Sequence, residues 1–215
     1  ITLPLLWWRQ HRFRHNLSLA ALRNRDLLEE ATILQLPELE FLELTVLVEE
    51  RVAPGFIGDA GVSVLFRSNL GTLLFDVGFG PERPALAHNV QLLGLNVDQI
   101  EAVAISHLHP DHMGGMRAQR RNRVELPDTM ATTLIGRPCY VPAPTSSPAL
   151  DCQVVTKPRI LHAGLASTGP LCRSLFFFGL TAEQSLLARV KGKGLVVFTG
   201  CGHPGAEVIL EMATR

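Results

Sequence analysis

The stretch AISHLHPDHMGG, Ala104 to Gly115, places His107, His109, Asp111 and His112 almost side by side, and it uses three of the chain's eight histidines. Imidazole nitrogen and carboxylate oxygen are ligands for zinc, iron or manganese. The residues just before it, EAVAIS, read as a short apolar strand. At an extended strand end, residues two apart point the same way, so His107 and His109 can aim at one ion. A turn at Pro110 then lets Asp111 and His112 face a second position beside the first. Gly114 and Gly115 permit a tight backbone path as the next helix begins. The alternative is a histidine-rich surface loop, which leaves this spacing without a reason.

Outward from this loop, most of the chain reads as strands. FLELTVLVEE from Phe41 half-alternates. GVSVLFRS and GTLLFDVG, joined by a short polar turn with a glycine, predict a β-hairpin. ALAHNVQLLGLNVDQI has helix spacing, with Gly94 near its end and Asp98 as the cap of a short turn. MRAQRRNRVELPD reads as a solvated loop or helix face, and GRPCYVPAPTSSPAL as an irregular proline-rich loop. QVVTKPRIL and SLFFFGL predict strands, with Phe176, Phe177 and Phe178 buried. TAEQSLLARV carries a helix-start pattern, Thr181 as N-cap and Gln184 three residues later. GLVVFTG predicts a second buried strand ending in a glycine-rich turn, CGHPG, which carries His203. AEVILEMATR predicts a closing helix. Two strand ends thus deliver histidines, and two loops on one sheet edge can build a single site.

Residues 1–40 differ in texture. NLSLAALRNRDLLEEATILQL has helical spacing, so this extension is read as a docked helix or as a poorly ordered segment, with residues 41–215 as the domain. Of the 215 residues, 47% are hydrophobic and 19% charged, a globular composition. The formal net charge is zero, which gives no support for a nucleic-acid partner. No apolar run reaches membrane-span length. Four cysteines without CxxC spacing do not suggest a disulfide framework, and a cytoplasmic location is the expectation.

The histidine motif also resembles the signature of the metallo-β-lactamase superfamily, from about Phe41 to the C-terminus. LLFDVG matches the family's early aspartate at Asp76. SHLHPDHMGG matches the main metal motif, and FTGCGHPG places a further ligand at His203. GDAGVSVLF, STGPLCRSLFF, GLTAEQSLL and GKGLVVFTGCGHPG are similar to the branch related to dihydropterin ribofuranosyl-aminobenzene phosphate synthase. The fold implied is α+β, an αββα sandwich. The family pattern continues to a final GG-x-H histidine, whereas here none follows His203 before Arg215. The resemblance therefore predicts a C-terminally truncated sandwich, lacking its last strands and helix, or an incomplete second site.

What the resemblance implies is a metal-dependent hydrolase of a small molecule. His107, His109 and His203 would hold the first ion and leave an open position at which water is acidified. Asp111 would steady that water and, with His112, ligate a second ion, while Asp76 would keep the loop in register. Zinc is the expected metal, one or two per chain, with iron or manganese as alternatives. Cys201 is read chiefly as packing, with soft ligation as the weaker alternative. Thr168 and Gly169 are read as pocket-lining or as ordinary turn residues, and His88 and His162 as structural. No membrane or nucleic-acid partner is expected, and the oligomeric state is left open. The rival readings are a truncated, weakly metal-binding or non-catalytic relative, a flavodiiron-like redox protein, disfavoured by His109, and a nuclease, disfavoured by the absent basic surface.

Overall fold

The computed structural model describes residues 2–215; Ile1, the first residue of the expected extension, lies outside them. Helix α1 (Thr2–Glu29) is followed by β1 (Glu38–Leu39). The strands β2 (Leu42–Val48), β3 (Ser63–Ser68), β4 (Gly71–Phe75), β5 (Ala102–Ala104), β6 (Pro138–Val141) and β7 (Asp151–Val154) then form one sheet in that order. Its first three strands are antiparallel and its last four parallel. Between them lie α2 (Ala85–Leu92), α3 (Pro110–Met113), α4 (Met116–Arg120) and α5 (Asp128–Ala131). The second sheet is built from β1, β8 (Arg159–Ile160), β9 (Ala166–Ser167), β12 (Leu186–Val190) and β13 (Gly194–Phe198). Strands β10 (Leu171–Leu175) and β11 (Gly179–Glu183) make a separate hairpin, and α6 (Ala206–Ala213) closes the chain. No described helix is long and apolar enough to cross a membrane.

The period of two along each strand sorts its residues between two cores. Val64, Phe66, Leu73, Phe75, Ala102 and Ala104 face the second sheet. Their neighbours Leu65, Leu74 and Val103 face α2, α3 and α5, through Leu86, Met113 and Met130. Between the sheets, Phe198 stands edge-to-face on Phe66 and Phe75, with ring centroids 4.9 and 5.6 Å away. Beyond the second sheet, Val197 meets Leu28 of α1 and Ile209 and Met212 of α6. The layers are helices, sheet, sheet, helices, the expected αββα sandwich, with two mixed sheets. Helix α1 is clamped to β10 by Asn24, whose amide donates to the Cys172 carbonyl at 2.9 Å and accepts from its N–H at 2.6 Å.

Several local expectations are corrected. TAEQSLLARV is not helical: Thr181 to Glu183 end β11 and Leu186 to Val190 form β12, because both sides of that segment find strand partners. PCYV, expected in a loop, is the parallel strand β6; Pro138 stands at its first position, where a strand tolerates the missing N–H. Phe176 to Phe178 are not a buried strand but the turn between β10 and β11, with Phe177 and Phe178 exposed. GLVVF forms an edge strand rather than a buried one. The short turn after α2 is capped by Asn96, whose side chain accepts from Asp98 N–H, and not by Asp98.

Candidate metal centre

The histidine loop leaves the sheet at the C-terminal end of β5. Ile105 N–H still donates to the Tyr140 carbonyl at 2.9 Å, and the chain then turns over the sheet edge. Asp76, just after β4, fixes both ends of the loop. It is fully buried. One carboxylate oxygen accepts from Ser106 N–H at 2.6 Å. The other meets the Ser106 hydroxyl at 2.7 Å and His112 Nδ1 at 2.6 Å. Asp76 itself has φ +61, a left-handed conformation that costs about 1–3 kcal/mol outside glycine and is held by these bonds. Helix α3 begins at Pro110, where a missing N–H is harmless. It ends at Gly114, with φ +114, where a Cβ would stand 2.3 Å from the Glu125 carbonyl oxygen.

The second loop, Thr199 to Gly205, follows β13. Its anchor is Glu183, buried at the end of β11. One Glu183 oxygen accepts from Thr199 Oγ1 at 2.9 Å and Gly202 N–H at 2.8 Å; the other accepts from His203 N–H at 2.8 Å. Gly200 lets this loop close on the first, since a Cβ there would lie 2.5 Å from Ser106 Oγ. Gln184, next along, donates to the Ile105 and Tyr140 carbonyls at 2.8 and 3.0 Å. It thus ties the second sheet to the root of the histidine loop.

These two anchors bring His107, His109 and His203 together. Ring centroids are 4.4 Å apart for His107 and His109, 4.8 Å for His107 and His203, and 5.1 Å for His109 and His203. One ligand atom from each lies within 4.8 Å of the other two. His107 Nε2 and His203 Nε2 are buried and have no hydrogen-bond partner among the described residues. Leaving two such nitrogens unpaired is costly unless a further group binds them. A metal ion suits them, because both belong to a converging imidazole set. His109 Nε2 lies 3.3 Å from Thr181 Oγ1, which leaves Nδ1 as its open nitrogen.

A second group adjoins the first. His112 Nε2 lies 3.2 Å from Cys201 Sγ and 3.3 Å from Asp111 Oδ2, and His107, His112 and Cys201 again offer atoms within 4.8 Å of one another. Sequence reasoning treated Cys201 chiefly as packing. It is instead exposed and turned to His112. Glu183 and Ser106 were also missed as supports of the site. Thr168 and Gly169 are used at the β9–β12 junction, where Thr168 Oγ1 accepts from Ser185 N–H and Gly169 N–H donates to Ser167 Oγ. His88 and His162 sit elsewhere, on the Gly55 carbonyl and Glu101.

The electrostatics divide the histidines. Burial, reinforced by His112, His109 and His203, drives the His107 pKa far below its ordinary value. Burial and then His203, with a lesser contribution from His112, push His109 down to about 4 against the opposing charge of Asp111. Both are neutral at pH 7, with lone pairs available. His112 is the reverse: burial would lower it, but the charge of Asp76, with hydrogen bonds to Asp111, Asp76 and Cys201, pushes it up to about 12. Burial would raise the Asp111 pKa, but the hydrogen bond and charge of His112 outweigh this and lower it, so its carboxylate stays ionised.

Residues 57–122 match the model of the metallo-beta-lactamase superfamily. Among solved structures, Tm1679, a metal-dependent hydrolase of the beta-lactamase superfamily, is 22% identical with a TM-score of 0.54, covering 79% of this chain and 70% of that one. A quorum-quenching N-acyl homoserine lactone lactonase is 14% identical with a TM-score of 0.48, covering 84% and 87%. The short form of human tRNase Z is 14% identical with a TM-score of 0.48, covering 79% and 73%. No curated protein matches the chain. The matched segment contains the histidine loop, the likeness to Tm1679 shows the shared sandwich fold, and the buried histidine cluster is a candidate metal centre: the chain resembles the metallo-hydrolases of the metallo-β-lactamase superfamily.

Proposed function

We propose that the chain hydrolyses a small molecule with one or two zinc ions, the first held by His107, His109 and His203. The observation that carries this reading is the pair of buried, unpartnered nitrogens, His107 Nε2 and His203 Nε2, facing a third imidazole. Asp111, His112 and Cys201 form the second position. A thiol among imidazoles favours zinc over manganese.

A bound divalent ion supplies Lewis acidity and a water acidified toward neutral pH. The residues do the rest. Neutral His107 and His109 present nitrogen donors without first losing a proton. Asp111, ionised and with 30% of its side chain exposed, is placed to hold or accept the proton of the attacking water. Asp76 and Ser106 keep the His112 ring in one orientation, and Glu183 does the same for the His203 backbone.

His109→Ala and His203→Ala test the assignment. Each is expected to lose most bound metal and all hydrolysis of whichever ester, lactone or phosphodiester the native chain cleaves. Native metal content together with native hydrolysis in either variant would refute it.

A further inference from the structure

A cavity of about 230 Å³ opens directly beside His109. It is smaller than the roughly 300–1,000 Å³ of drug-sized clefts, so it suits one ring with a short substituent. Leu108, Leu180 and Phe178 give it an apolar wall, and Thr181 and Gln119 supply polar atoms. Phe178 is 61% exposed, yet its ring lies over His109, centroids 4.6 Å apart and tilted by 41°. An aromatic ring on a hairpin tip, left in water beside a candidate metal ligand, is positioned to cover a bound molecule.

The cavity's cation comes from outside the sandwich. Arg23 of α1 lines it. Arginine stays charged at any working pH, and Arg23 forms no ion pair among the described residues. Its guanidinium meets the Cys172 thiol, whose pKa burial raises against the hydrogen bond and charge of Arg23, so the thiol is a neutral partner and no counter-charge. The position of Arg23 is built rather than incidental. The next residue, Asn24, makes the two-bond clamp on Cys172 that docks α1, and Ser174 Oγ, two residues further along β10, donates to the Phe13 carbonyl. Among the described residues that line the cavity, the one charged group is therefore a guanidinium without a counter-charge, held at its rim by α1.

We infer that this cavity receives the non-reacting part of the substrate, and that the substrate is a small organic anion. Its ring or alkyl body lies against Phe178, Leu108 and Leu180, and its carboxylate or phosphate meets Arg23. This rests on the hydrolase reading, because it takes the molecule's reacting end to be at the histidines.

The test measures the binding of benzoate, phenyl phosphate and benzyl alcohol to the metal-loaded full chain by ligand-observed NMR. Native protein, Arg23→Gln and Phe178→Ala are compared, with bound metal assayed on the same samples. Arg23→Gln is expected to weaken one or both anions about tenfold, as the loss of a charge-assisted bond implies, and to leave benzyl alcohol and metal content unchanged. The anion that loses more identifies the group recognised. Phe178→Ala should weaken all three probes. Equal binding of both anions to native protein and Arg23→Gln would overturn the inference, as would native binding of benzyl alcohol as tight as that of both anions. Loss of anion affinity on Arg23→Gln in a protein that carries no metal would support the anion pocket while sinking the hydrolase reading, so the two failures are distinguishable.

Discussion

Replacing Glu183 by Gln probes the support of the metal centre without touching a proposed ligand. The native carboxylate accepts three hydrogen bonds, two on one oxygen and one, from His203 N–H, on the other. Gln can keep its carbonyl oxygen toward Thr199 and Gly202, but then its NH2 faces the His203 N–H, donor against donor. A hydrogen bond to a charged group contributes about 1.5–3 kcal/mol, and a buried donor left unsatisfied costs about 1–3 kcal/mol. Allowing for relaxation of the loop, the variant should lose about 2–4 kcal/mol of stability. The same shift displaces His203, and the loss of a group that orients a ligand typically costs 10–100-fold in metal affinity. Urea unfolding of metal-loaded and chelated protein measures the first effect, and competition with a chromophoric chelator the second. Metal affinity within twofold of the native value would refute the argument that Glu183 positions His203.

Phe75→Ala should destabilise the protein by about 3–5 kcal/mol in denaturant unfolding, because it empties a fully buried site where Phe66 and Phe198 meet it edge-to-face. Cys201→Ser should abolish the sulfur-to-metal charge-transfer absorption of the cobalt-substituted protein while leaving the first equivalent bound; unchanged spectra would remove Cys201 from the second position. In metal-free protein His109 takes up a proton only near pH 4, whereas the unfolded chain does so near 6.5. The unfolded state therefore binds more protons between these values, and stability should fall as pH drops through that window, by about 1–2 kcal/mol once solvent screening of the half-exposed ring is allowed for. The His112 pKa is raised instead, so its contribution is complete below pH 6.5 and fades as pH climbs toward 12. An ion at its Nε2 must displace a proton, and the Cys201 thiol gives up another on becoming a ligand, so calorimetry in buffers of different ionisation enthalpy should find about two protons released per second-position ion at pH 7.

The histidine loop was legible because its chemistry is local. Strand, turn and candidate ligands follow one another from Ala102 to Gly115, so spacing alone sets their directions. The β3–β4 hairpin was legible for the same reason. Glu183 and Gln184 were not, because TAEQ satisfies a helix-capping pattern and nothing nearby in sequence contradicts it. Their partners are Gly202, His203 and the distant Ile105 carbonyl, and only the packed sheets bring these within reach. Phe176 to Phe178 misled for the opposite reason. Hydrophobicity suggests burial, but a hairpin tip beside a cavity leaves aromatic rings exposed. Cys201 looks like any small residue at a strand end until Gly200 brings its loop against Ser106 and turns the thiol to His112. Arg23 gave no signal, since its role depends on where Asn24 docks α1.

Metal bound per chain tests the central claim most directly. Elemental analysis of native protein purified without chelator, beside His107→Ala, should find one to two equivalents, chiefly zinc, in the first and far less in the second. Native protein without metal, or His107→Ala with the native amount, would contradict a centre built on His107, His109 and His203.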